Sequence, residues 1–186
     1  MKETILNYRT DSQTEEHKKL AYDIEFTAFK EAGGIYDERH AKLYGNLAVD
    51  MINDGSYSII IEDVGHACYT PMKIDQAPHL KCYVLAPLAV LPGHQGKGFA
   101  TKLMEIAESE LKPDVVFVAG EKHHYGRRYS TPHKIDIPVA SEMPLENWFA
   151  RELTPGCLDG IESSTSISGP YSEPKQWSHP SEQFDE

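Results

Sequence analysis

Only three cysteines occur in 186 residues, at Cys68, Cys82 and Cys157. They are widely spread, odd in number and free of any Cys-x-x-Cys spacing, which argues against a disulfide framework or a structural zinc. Such usage suits a reducing compartment, and a cytoplasmic protein is expected. Long apolar runs are missing too: no stretch approaches the roughly 20 residues that cross a bilayer. The opening Met1-Lys2-Glu3-Thr4 is polar and holds no signal-peptide apolar region, so no membrane partner is expected. Positive charge is in deficit: 18 Lys and Arg face 29 Asp and Glu, a formal net charge of -11. Nucleic acid is therefore disfavoured as a partner, and a cationic small molecule is favoured. No internal repeat is present. His123, His124 and His133 lack the i, i+4 spacing that sets two ligands on one helical face, so no metal is expected.

What is there reads as an ordinary globule, with 40% hydrophobic and 25% charged residues. The length suits one domain with a sizeable core. A short strand is expected near Ile5 to Tyr8, then a helix capped by Ser12 or Thr14, with Leu20, Ala21, Ile24 and Ala28 on one face. Gly33-Gly34 ends it. A second helix begins near Asp37, buries Tyr44, Leu47, Ala48 and Met51, and stops at Asn53-Asp54-Gly55. Residues Ser58 to Ile61 and His66 to Tyr69 read as a hairpin around Asp63-Val64-Gly65. From Gly160 onward the composition turns to Ser, Pro, Gly and Glu, and no element is assigned. Part of Trp177 to Phe184 looks like an interrupted streptavidin-binding tag, and carries no functional reading.

The most informative segment follows the hairpin. An apolar strand, Cys82 to Val90, stops at Pro92, crosses a turn containing Gly93, Gly96 and Gly98, and opens into an amphipathic helix. Ala100, Leu103, Met104, Ala107 and Leu111 keep helical spacing. Orphan N–H groups and the positive end of the helix dipole then face a loop without side chains, with Lys97 beside it. That is a cradle for a pyrophosphate. A Walker A loop is excluded, because Gly93 precedes Gly96 by three residues and Gly98 follows Lys97. A Rossmann fingerprint fits superficially, with Glu121 in range. Its mid-chain position leaves too little sequence for a doubly wound sheet. A plain strand–turn–helix connection with incidental glycines stays open on spacing alone.

The pattern Pro92-x-x-Gln95-Gly96-Lys97-Gly98-x-Ala100 after an apolar strand resembles the acetyl-CoA motif of the GNAT N-acetyltransferase superfamily. Val115 to Ala119 is a β-branched run where that fold has its next strand. His124-Tyr125-Gly126-Arg127 resembles the Tyr-Tyr-Gly-Arg segment of a bacterial subgroup of predicted acetyltransferases, and Trp148 to Gly156 resembles that subgroup's later strand. The likeness spans about Tyr57 to Pro170. Two departures stand out: Tyr129-Ser130 replaces the family's usual Gly-Phe, and the early hairpin looks short. The resemblance implies a single-domain α/β fold, a mixed and largely antiparallel sheet flanked by helices. The domain would cover residues 1–170, with 171–186 as a polar tail.

The resemblance also implies roles. Acetyl-CoA would be the co-substrate of an N-acetyltransferase, its pantetheine arm paired with the backbone of Leu88, Ala89 and Val90. Gln95, Gly96, Lys97, Gly98, Phe99, Ala100 and Thr101 would hold the pyrophosphate. The anion needs local positive charge, for which Lys102, Arg127 and Arg128 are candidates, with a solvated surface as the alternative reading, above all for Lys102 and Arg128. Tyr125 matches the tyrosine that protonates the leaving thiolate, and is the candidate catalytic residue. The acceptor would be a primary amine of a small molecule or peptide, and a homodimer is allowed. Glu62, His66, Asp75 and His79 are candidate bases by region, with none singled out. The early helices, with Glu15, Glu16, Glu25, Glu31, Asp37 and Glu38, are expected to wall the acceptor side and to favour an ammonium. The alternative is a non-catalytic acyl-CoA-binding module, prompted by the missing Gly-Phe.

Overall fold

The computed structural model describes residues 6–34, 36–120, 122–140 and 143–178. The expected first strand appears as β1 (Tyr8–Arg9); Ile5 lies outside the described residues. Helix α1 (Glu15–Ala32) starts where Thr14 accepts the His17 N–H at 3.2 Å. It ends at Gly33, whose φ of +69° is one that glycine adopts readily. Helix α2 (Glu38–Asn53) has a capping box: the Asp37 side chain takes the His40 N–H, and the His40 ring takes the Asp37 N–H. Strands β2 (Tyr57–Ile61) and β3 (Gly65–Ile74) then form the hairpin, with Glu62 and Asp63 at φ +48° and +54°.

Strand β3 is longer than the sequence suggested. Pro71 argues against a strand there, yet it is exposed and directly precedes the register with β8 (Glu162–Ile167), which begins at Met72. Met72, Lys73 and Ile74 pair antiparallel with Ile167, Ser166 and Thr165 of β8. The extension belongs to the pairing with β8; the hairpin partner β2 has only five residues. β4 (Cys82–Val90), α3 (Phe99–Leu111) and β5 (Val115–Ala119) sit where periodicity put them. Short helix α4 (Lys122–Tyr125), β6 (Lys134–Asp136) and β7 (Trp148–Glu152) complete the named elements.

The strand order is β1-β2-β3-β4-β5-β7, with β8 paired to both β3 and β6. β4 with β5 and β6 with β8 are parallel, whereas β1 with β2, β3 with β8, and β5 with β7 are antiparallel. The chain folds into two compact units, through both of which β3 and β4 run. Unit 1 takes the described residues of Met1–Cys68 and Pro87–Glu110. Its core joins Ala21, Ile24, Met51, Ile52, Ile59 to Ile61 and Leu103, all at 1% exposure or less. The α1–α2 approach is so close that a Cβ on Gly45 would lie 2.8 Å from the Tyr22 ring. Unit 2 takes the described residues of Tyr69–Ala86 and Leu111–Glu186. Its core is built on Val115 to Val118, Tyr129, Ile135 and Trp148, with Phe117 stacked on Trp148 at 5.1 Å.

The Ser-rich segment after Gly160 holds β8, which composition hid. Its burial alternates, with Ser163 and Thr165 inward, and each hydroxyl is satisfied. Ser163 accepts the Gln76 N–H at 3.1 Å, and Thr165 donates to the Asp136 carbonyl at 2.9 Å. Tyr171 and Trp177 are buried, and the Trp177 indole donates to the Tyr171 carbonyl at 2.8 Å.

Candidate active site

The glycine segment lies wholly in unit 1, and its geometry follows from two residues. Pro92 to His94 form one turn of 3-10 helix. Gly96 and Gly98 then take φ values of +72° and +85°, which turn the chain into α3. A Cβ at either would meet nothing within 4 Å, so backbone sign, not space, requires glycine. Gly93 has neither constraint. The first ladder bond of α3 runs from Lys102 N–H to the Gly98 carbonyl at 3.0 Å, which leaves the amides of Phe99, Ala100 and Thr101 ahead of the ladder. No acidic residue occupies the first turn. The loop braces itself: Gln95 donates to the Val90 carbonyl at 3.0 Å, and Lys97 Nζ to the Gly93 carbonyl at 2.8 Å. Lys102 is ion-paired with Glu105 at 2.8 Å.

Leu88, Ala89 and Val90 continue β4 beyond its pairing with β5, which covers only Cys82 to Val84. Backbone groups on that side of the later residues therefore take no part in that ladder. Tyr125 belongs to unit 2, together with Arg127 and Arg128. Its position rests on a glycine the sequence reading overlooked. Gly120, at φ +157°, ends β5, and a Cβ there would lie 2.6 Å from the Tyr125 ring. The buried Tyr129, which stands where a Gly-Phe was expected, packs edge-on against Tyr125 at 6.1 Å. A glycine directly after a β-branched strand was the available signal.

The candidate bases separate. Glu62 accepts the Asn7 N–H at 2.7 Å in the hairpin turn. Asp75 and His79 are exposed in unit 2. His66 is fully buried, and both its ring nitrogens are engaged, which rules out direct contact with a solvent-borne substrate. Nδ1 meets Glu25 Oε1 at 2.6 Å, and Nε2 meets Ser58 Oγ at 3.0 Å. Ser58 Oγ in turn lies 2.8 Å from His17 Nε2, and His17 Nδ1 lies 3.6 Å from the exposed Asp11 carboxylate. Burial raises Glu25 well above the usual carboxylate range and lowers His66 to about 3. His17 is lowered as well, by burial first and then by His66. A protonated Glu25 therefore donates to His66, His66 to Ser58, Ser58 to His17, and His17 points its last N–H at Asp11. Neither His17 nor Ser58 was singled out by sequence, because nothing local marks a buried polar chain.

That network alters the expected acidic wall. Glu25 lies in the core, not on it. Asp37 is a helix cap, held well below the usual carboxylate range by the His40 backbone N–H it accepts. Glu15, Glu16 and Glu38 are ion-paired with Lys18, Arg9 and Lys42. Among the described residues, no three His, Cys, Asp or Glu side chains are grouped to hold a metal.

The acetyltransferase (GNAT) family matches the sequence over residues 7–123, more than half of the chain. The chain belongs to the GNAT acetyltransferase family. Solved GNAT structures agree in fold. A GNAT family N-acetyltransferase from Escherichia coli, in complex with CoA, superposes with a TM-score of 0.69 at 17% identity, over 88% of this chain and 89% of that one. A GNAT family acetyltransferase from Brucella melitensis, in complex with acetyl-CoA, gives 0.63 at 17% identity over 88% and 96%. One from Staphylococcus aureus gives 0.53 at 12% identity over 80% and 99%. No curated protein matches. As a GNAT enzyme, the chain has the mixed, mostly antiparallel sheet flanked by helices that the motif implied.

Proposed function

We propose that this GNAT protein moves an acetyl group from acetyl-CoA to a primary amine of a small molecule or peptide, by direct attack of the amine on the thioester. The observation that carries this is the turn at Gly96 and Gly98, which aims the first amides of α3 into an open loop beside Lys97. Those amides and Lys97 would hold a pyrophosphate, each charge-assisted bond contributing roughly 1.5–3 kcal/mol. Lys97 need only exchange the Gly93 carbonyl for a phosphate oxygen. The backbone of Leu88, Ala89 and Val90, beyond the β4–β5 ladder, would take the pantetheine arm as an added strand, and an N–H there would stabilise the oxyanion.

Bound acetyl-CoA supplies an activated acyl group and a good leaving thiolate. Tyr125 would give that thiolate its proton, its phenol being near enough in acidity to a thiol. The attacking amine must first lose a proton: at pH 7 an alkylammonium near pKa 10.4 costs roughly 4.6 kcal/mol to neutralise. The acceptor carries its amine in that charged form to the protein, so the rate is expected to climb with pH toward about 9. The three cysteines are free thiols, which supports a cytoplasmic location. Calorimetry with acetyl-CoA, followed by thiol release across a panel of amines, tests the reading. Absence of binding removes it; binding without thiol release on any amine leaves an acyl-CoA-binding module in its place.

A further inference from the structure

Unit 2 contains a cavity of about 880 Å³ that no residue of the glycine segment lines. Its size is within the range of small-molecule sites and exceeds what a single amino acid fills. Part of its wall is apolar and reachable from solvent: Leu145 is 71% exposed, Pro132 is exposed and Phe149 is half-buried. A ligand that covered these side chains would remove their apolar surface from water, which favours binding. The cavity also borders α4. Lys122 and Gly126 line it, and so does Tyr129, which packs edge-on against Tyr125 at 6.1 Å.

Charge says what kind of molecule fits. The lining carries Lys122 and Lys134 against Asp136 and Glu162, all four exposed. Lys134 and Glu162 answer each other at 2.9 Å across the β6–β8 register. Lys122, at the start of α4, and Asp136, at the end of β6, make no ion pair among the described residues. His133 adds no charge. Its Nδ1 accepts the Ile135 N–H at 3.2 Å, so it is the neutral Nε2–H tautomer, and Nε2–H faces the Trp148 carbonyl at 3.3 Å. Burial, which lowers its pKa, keeps that ring neutral. The wall thus offers one free cation and one free anion with no net charge. An ion of either sign would satisfy one of them and meet the other as its own kind. A molecule bearing both an ammonium and a carboxylate satisfies both.

We propose that this cavity binds a short zwitterionic peptide with apolar side chains. Its carboxylate pairs with Lys122, its ammonium with Asp136, and its side chains cover Leu145, Pro132 and Phe149. The exposed charges select the ligand, and the apolar wall supplies most of the affinity. The proposal stands apart from the acetyl-transfer reading, because it rests on unit 2 alone. Such a peptide serves either as the amine acceptor or as an effector, and the two roles are separable.

The dipeptide Phe-Leu is the probe, beside its N-formyl form, which lacks the ammonium, and its C-terminal amide, which lacks the carboxylate. Calorimetry without acetyl-CoA should show Phe-Leu binding about fivefold tighter than either modified form, the upper range for an exposed ion pair. The variants then match the probes. Lys122→Gln should weaken Phe-Leu and the formyl form about fivefold and leave the amide unchanged. Asp136→Asn should weaken Phe-Leu and the amide about fivefold and leave the formyl form unchanged. Leu145→Ser should weaken all three. These positions are exposed, so none of the changes threatens the core. With acetyl-CoA added, mass spectrometry separates the roles: acetylated Phe-Leu identifies an acceptor site, and bound but unmodified peptide an effector site. No binding of Phe-Leu at millimolar concentration, or equal weakening of all three probes by each charge variant, overturns the proposal whether or not acetyl-CoA binds.

Discussion

Replacing Glu25 by glutamine should flatten the alkaline side of this protein's stability profile. Folded, Glu25 and His66 share one proton, held on the carboxyl that burial has raised well above its ordinary 4.5. The imidazole, lowered from 6.5 to about 3, stays neutral. Unfolded, the same two groups bind two protons below about pH 4.5, one between about 4.5 and 6.5, and none above. In the middle window the proton counts match, and the pair contributes no pH dependence. Above 6.5 the folded state holds a proton that the unfolded state has lost. Stability then falls as pH rises, by about 1.4 kcal/mol per unit while folded Glu25 keeps its proton. Below 4.5 the unfolded state holds the extra proton, and stability falls toward acid; lowered His17 adds to that decline from 6.5 downward.

Each unit of pH above 6.5 through which folded Glu25 keeps its proton thus costs about 1.4 kcal/mol, or a fall in melting temperature of roughly 3–6 °C for a chain of this length. Glutamine presents an N–H donor to His66 Nδ1 without a titrating proton, so Glu25→Gln should lose this slope. Glu25→Ala instead leaves a buried ring nitrogen unpaired beside a void, and should cost about 2–4 kcal/mol at any pH. Urea unfolding of both variants and wild type between pH 5 and 8.5 measures all three quantities. A difference between wild type and Glu25→Gln that stays constant across that range refutes the shared-proton reading.

At the cradle, Gly98→Val should weaken acetyl-CoA binding by tenfold or more, since a β-branched residue at φ +85° costs upward of about 1–2 kcal/mol before any phosphate contact is lost. Gly93→Ala should bind like wild type in the same calorimetric titration, its Cβ meeting open space. Tyr125→Phe should lower kcat much more than it raises the apparent KM for acetyl-CoA, as loss of an acid felt in the transition state does. Gly120→Ala should reproduce that kcat loss without touching the phenol, because its Cβ would displace the ring. A Gly120→Ala enzyme of normal kcat would count against Tyr125 as the acid.

Sequence by itself determined the elements whose signals are local. Cys82 to Val90, Phe99 to Leu111 and Val115 to Ala119 each carry the period of their own secondary structure, and glycines at Gly96 and Gly98 mark where the backbone must turn. The helix starts were legible for the same reason, to within Ser12 or Thr14 for α1 and near Asp37 for α2; the structure settles the caps on Thr14 and Asp37. Only tertiary structure decided the rest. Glu162 to Ile167 is a strand because β3 and β6 offer backbone partners to a serine-rich segment whose composition suggests a loop. Met72 to Ile74 extends β3 past a proline through that same pairing. Glu25, charged by every sequence count, is a core acid because helix α1 turns it onto His66, 41 residues away in sequence. Composition counts charges one residue at a time, whereas burial and protonation depend on which distant residues meet.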